Sequence, residues 1–120
     1  MEKKKYAMYV GRWQVWHSGH RWLIDQKLNQ GIPVLIAVRD VEKDEKNPYS
    51  AEEVRLNIMK QLYPLINEGM VKVIIIPDIE SFNYGRDVGY EVIEHIPPSE
   101  IAEISGTKIR EQLKNEKGNL

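Results

Sequence analysis

The sequence predicts an α/β protein, folded as a single domain over residues 1–120 around a parallel sheet with helices on both faces. Short β-branched runs alternate along it with stretches of helical periodicity, the pattern of strand-helix-strand units. The runs lack polar alternation, as strands do when helices cover both sides of them. The length, 120 residues, is that of one domain.

The first run is residues 6–10 (YAMYV), the second 34–38 (VLIAV) and the third 71–76 (VKVIII). A weaker fourth strand is predicted over 90–96, where Tyr90, Val92, Glu94 and Ile96 alternate with Glu91, Ile93 and His95. Between the first two strands, Leu23, Ile24 and Leu28 recur at helical spacing, so a helix should start near Ser18 and stop at Gly31 and Pro33. Ser50 and Glu53 make a capping box ahead of Val54, Ile58 and Leu62, and Pro64 should close that second helix. A last helix is predicted over 107–113, with Ile109 and Leu113 on one face. The order is β-α-β-α-β, an irregular stretch, β, then α.

Composition narrows the function. With 17 Lys plus Arg against 18 Asp plus Glu, the net charge is -1, which disfavours a nucleic-acid partner held by a basic face. At 42% hydrophobic and 29% charged, the chain has the balance of a globular protein, neither disordered nor built for a membrane. Cysteine is absent, so disulfides, thiolate metal sites and thiol nucleophiles are excluded together. The apolar stretch behind the basic MEKKK is too short for a signal peptide or a span, and a cytoplasmic location is expected.

In a parallel sheet the loops leaving the strands' C-terminal ends gather on one edge, where ligands bind. The first such loop, residues 11–20 (GRWQVWHSGH), holds two of the three histidines and two of the three tryptophans. His17 and His20 lie three apart at a helix start, where unpaired backbone N–H groups favour an anion. Gly19 between them leaves room for a ligand beside the backbone. The same pair also fits a core-facing His20 with a capping His17, or a zinc site with His95 as its only further imidazole. Residues 104–110 (ISGTKIR) open the last helix with two hydroxyls and two cations, which suits a polyphosphate or a plain solvated helix start. Lys43 and Lys46 stand in a mixed-charge loop on the same predicted edge.

Together, GRWQVWHSGH and ISGTKIR resemble the two motifs of the nucleotidylyltransferase superfamily, a G-x-F-x-P-x-H-x-G-H loop after the first strand and an I-S-x-T-x-x-R/K segment opening the last helix. The N-P-Y-S-x-E-E segment at 47–53 falls between them as in that family. The resemblance implies a Rossmann-like sheet and transfer of a nucleoside monophosphate from ATP or CTP to a small phosphate-bearing acceptor, with release of pyrophosphate. It implies that His17 and His20 contact the nucleotide phosphates and stabilise the transition state, with Lys46 as a catalytic lysine. Gly11, Arg12, Trp13 and Gly19, with Ser105, Thr107 and Arg110, are the implied nucleotide-binding positions. A Mg²⁺ ion held mainly by phosphate oxygens is implied as cofactor, and a homodimer is the assembly to expect. Val15 stands where the family has proline, and 77–89 is shorter than the helix, strand and loop that usually follow the third strand. Tyr84 and Arg86 in that stretch, with Arg55, are the acceptor candidates. The G-R-x-Q beginning favours adenylyl transfer, while the S-x-T-K-I-x-E-x-L close is equally similar to cytidylyltransferases. A nucleotide-binding homologue without transfer is the non-enzymatic alternative.

Overall fold

A computed structural model of the chain describes residues 3–86, 89 and 91–103. Three strands, β1 (Ala7–Gly11), β2 (Val34–Asp40) and β3 (Val71–Pro77), pair in parallel in the order β1-β2-β3. Ala7, Val34 and Val71 are in register, as are Gly11, Val38 and Ile75. These are the three predicted apolar runs, with their ends moved by one or two residues. Helices α1 (Ser18–Leu28) and α2 (Ala51–Gln61) connect them, followed by the short α3 (Tyr63–Asn67) and the one-turn α4 (Ser99–Ala102).

The local signals act as their chemistry requires. At α2 the Ser50 hydroxyl accepts the Glu53 N–H at 3.1 Å and the Glu53 carboxylate accepts the Ser50 N–H at 3.0 Å, a reciprocal cap. After α1 the chain reverses at Gly31, whose φ of 76° is available to a residue without Cβ. Pro64 does not close α2. The helix ends at Gln61, and Pro64 sits in the first turn of α3, where a missing N–H costs nothing.

Side chains alternate across a strand, so Val34, Ile36 and Val38 share one face of β2. That face is fully buried with Ile24 of α1 and Val54 and Ile58 of α2 in one core. Met8, Val10, Leu35 and Ile74 occupy the alternate register, and Met8 is 53% exposed.

Residues 91–96 form no strand, a correction to the predicted alternation. Val92 and Ile96 are left 85% and 78% exposed, and the segment meets β1 through a side chain: the His95 ring stacks on Tyr9 at 5.8 Å. Pro97 and Pro98 follow directly, and proline cannot extend a hydrogen-bonded ladder. The helix α4 starts behind Pro98 and packs against α1. The predicted helix at 107–113 lies outside the described residues. Among them, no helix is long and apolar enough to cross a membrane.

Candidate functional site

The loops leaving β1 and β2 emerge at the same edge of the sheet, and each leads to a helix start. The β1 loop begins at Gly11, where a Cβ would stand 3.0 Å from the Trp13 ring, so glycine is what lets the indole fold back. Trp13 takes a left-handed φ of 53° and is buried, with its indole N–H donating to the Ala37 carbonyl of β2 at 3.0 Å. It therefore acts as the floor of the loop. Trp16, also buried, meets Trp13 at 5.4 Å and His20 at 5.3 Å, and Trp13 meets His20 edge-on at 4.9 Å. The two tryptophans thus hold the His20 ring in place.

His17 is the N-cap of α1, and its Nδ1 accepts the backbone N–H of Gly19 at 3.0 Å and of His20 at 3.4 Å. In return the His20 Nδ1 accepts the His17 N–H at 3.2 Å, and the two rings stack at 3.7 Å. This corrects one expectation. The N–H groups of Gly19 and His20 are not open to an anion, because the His17 ring already satisfies them. The consequence for the rings is more useful: with both Nδ1 atoms accepting, each neutral imidazole must carry its proton on Nε2. Each ring then has one remaining polar atom, and it is a donor.

Burial pushes the His20 pKa down to about 3, helped by the neighbouring charge of His17, and burial also lowers that of His17. Both rings are therefore neutral N–H donors near pH 7. A cleft of about 250 Å³ opens beside His17, lined by Trp16, His17, Ser18 and Arg21 with Gln61 and Leu62.

The β2 loop is tied to the β1 loop by an amide. Gln14, buried among apolar neighbours, donates from Nε2 to the Tyr49 carbonyl at 2.7 Å and accepts the Tyr49 N–H at 3.1 Å. Both ends of the amide are engaged by Tyr49, which ties the two loops together. Nearer β2, Asp44 Oδ1 accepts the backbone N–H of Lys46 at 2.8 Å and of Asn47 at 2.7 Å, and the Asn47 side-chain N–H at 3.0 Å. Those hydrogen bonds, with the Arg12 charge, hold the Asp44 carboxyl below its usual range. Asn47 is buried, and its Oδ1 has no partner among the described residues.

The remaining candidates divide by what they touch. Lys43 approaches Glu53 at 3.6 Å, and Arg55 pairs with Glu52 on its own helix at 2.6 Å. Arg12 and Lys46 are exposed on the site edge. Tyr84 and Arg86 are exposed in the irregular segment after β3, where Arg39 pairs with Asp78 at 2.7 Å. That segment and Val10 line a second cleft of about 240 Å³ with Arg39 and Phe82. Ser105, Thr107 and Arg110 lie outside the described residues. The chain leading to them passes the histidines, since the Ile101 carbonyl is 3.7 Å from where a Gly19 Cβ would stand.

Sequence reasoning missed Gln14, Asp44, Asn47 and Tyr49 as structural ties. One signal for Gln14 was present: a lone amide between Trp13 and Val15 is stable in a buried loop only if both its ends are paired.

No family model matches the chain. It is 31% identical, over an alignment of 118 residues that covers 93% of it, to the nicotinamide-nucleotide adenylyltransferase of Methanococcus aeolicus. The chain spans 63% of the length of that relative.

Proposed function

We propose that the chain is a nucleotidylyltransferase, as its two motifs and its 31% identity to an adenylyltransferase support, and that it transfers the adenylyl group of ATP to a small phosphate-bearing acceptor and releases pyrophosphate. The observation that carries this reading is the histidine pair: two neutral imidazoles, stacked at 3.7 Å, each with Nδ1 committed and with Nε2–H left as a donor without a partner among the described residues. The adenylyl assignment draws on the relative's name, and a nicotinamide nucleotide is the first acceptor to offer.

In this reaction an acceptor phosphate oxygen bonds to the α phosphorus of ATP while the bond from that phosphorus to the bridging oxygen breaks. The electron pair leaves on pyrophosphate. The attacking oxygen is already anionic, so no general base is needed, and catalysis rests on position and on donors aimed at the developing charge. His17 and His20 supply such donors without titrating near neutral pH. Arg12 and Lys46 add cations from the two loops, while Gly11 and Trp13 set the loop's shape. Ser105, Thr107 and Arg110 complete the polyphosphate site in this proposal. Among the described residues no three His, Cys, Asp or Glu side chains gather into a metal site. The Mg²⁺ expected with the nucleotide would be held mainly by phosphate oxygens and water, and no step here runs through it. Arg55, Tyr84 and Arg86 are the proposed acceptor contacts, a homodimer the proposed assembly and the cytoplasm the proposed location.

The test is pyrophosphate release from Mg·ATP with nicotinamide mononucleotide as acceptor, beside thermal shifts with Mg·ATP and Mg·CTP. A specific stabilisation by ATP is expected, because a ligand that binds only the folded state raises Tm. His17→Ala should lower kcat by about 10²-fold or more with a small change in nucleotide affinity, as for an interaction strongest in the transition state. Stabilisation by CTP alone would overturn the adenylyl assignment. Nucleotide binding without pyrophosphate release from any phosphate-bearing acceptor would make the chain a binding protein.

A further inference from the structure

The cations along the site edge differ in what holds them. Arg21 is paired with Asp25 at 2.9 Å, Arg39 with Asp78 at 2.7 Å, Lys43 with Glu53 at 3.6 Å and Arg55 with Glu52 at 2.6 Å. Lys46, like Arg12, has no such carboxylate among the described residues, although it follows Asp44 and Glu45 directly. The nearest acid is turned to another use. The Asp44 carboxylate binds the Lys46 backbone N–H at 2.8 Å, and the next residue, Asn47, is held by the same oxygen at 2.7 Å and buried. The backbone is closed a second time by the Asp44 N–H on the Asn47 carbonyl at 3.0 Å and the Asn47 N–H on the Asp44 carbonyl at 3.2 Å. Two residues later, Tyr49 is fastened to Gln14 of the histidine loop.

We propose that Asp44 is a positioning residue: its carboxylate fixes the backbone on both sides of Lys46, so that a free ammonium is presented at the nucleotide site. This rests on the reading of Lys46 as a nucleotide contact. An exposed lysine loses rotamer and loop freedom when it binds a phosphate. A backbone ordered beforehand removes part of that cost. Using Oδ1 on backbone N–H groups also avoids an Asp44–Lys46 ion pair, which would have to break when the phosphate arrives. Arg12, from the first loop, is close enough for its charge to act on Asp44. The arrangement thus joins the two loops electrostatically as well as through Gln14.

The experiment is a double-mutant cycle on Mg·ATP affinity, measured by calorimetry on the full chain, with turnover on nicotinamide mononucleotide in parallel. Lys46→Ala should weaken Mg·ATP binding about tenfold and Asp44→Ala about three- to tenfold, with the double variant no weaker than Lys46→Ala within about twofold. Asp44→Asn keeps the accepting oxygen and loses the charge, and should bind within about twofold of the parent. A purely structural role would weaken the double variant further and would lower Tm, whereas here Tm should stay within a few degrees. Wild-type affinity in Asp44→Ala, full additivity with Lys46→Ala, or an Asp44→Asn variant as weak as Asp44→Ala would each overturn the positioning role. Wild-type affinity and turnover in Lys46→Ala would instead remove Lys46 from the site, and the proposal with it.

Discussion

At the residue scale, His20 shows how a charge-capable group is kept neutral. Its ring lies between Trp13 and Trp16 and against His17, so protonation would bury a cation with no counter-charge. The folded-state pKa is about 3 against an unfolded value of 6.5, so between those pH values the unfolded chain binds the extra proton. Stability is therefore full above pH 6.5 and falls as pH drops towards 3, by up to about 1.4 kcal/mol per pH unit from this group. His17 shifts in the same direction and adds to the slope. Urea denaturation at pH 7, 6, 5 and 4 should show this decline, and His20→Asn should flatten it. An unchanged slope in that variant would mean that the acid sensitivity lies elsewhere.

At the element scale, the two helix starts on the site edge are built differently. α2 uses the sequence-local Ser50 and Glu53 box, which any helix with that spacing could use. α1 uses two histidines for the same reciprocal cap, so its cap and the candidate phosphate donors are the same rings. Ser50→Ala should cost about 1 kcal/mol in urea or thermal unfolding and leave kcat nearly unchanged, since its oxygen satisfies one backbone N–H. His17→Ala, by contrast, should lose both a cap and turnover. The box was legible because its residues are three apart. The histidine cap was anticipated only as one alternative, because an H-x-G-H spacing fits a cap, a ligand pair and a core contact alike.

At the scale of the whole molecule, a three-stranded parallel sheet holds the two loops at one edge, and its core lies between β2 and the helices α1 and α2. Ile36, at the middle of the central strand and fully buried, touches that core from the sheet side. Ile36→Ala should destabilise the fold by about 2–5 kcal/mol in chemical denaturation, through lost transfer energy and the cavity left behind. A loss below 1 kcal/mol would show that the site can collapse. The strands were legible because their apolar runs are continuous, and α2 because its cap and apolar period agree. The segment 91–96 misled because alternation alone does not supply a strand with a partner edge.

By itself the sequence determined the order β1-α1-β2-α2-β3, the reciprocal cap of α2 and the placement of a His-Gly-His loop at a helix start, all of which depend on residues a few positions apart. Only the tertiary structure decided which polar atoms remain available. Trp13 gives its N–H to Ala37, Gln14 engages Tyr49 through both ends of its amide, and the histidines give each Nδ1 to the other's backbone or to Gly19, while Lys46 has no carboxylate partner among the described residues. Availability depends on burial and on partners as far as 35 residues along the chain, and no local pattern encodes those distances.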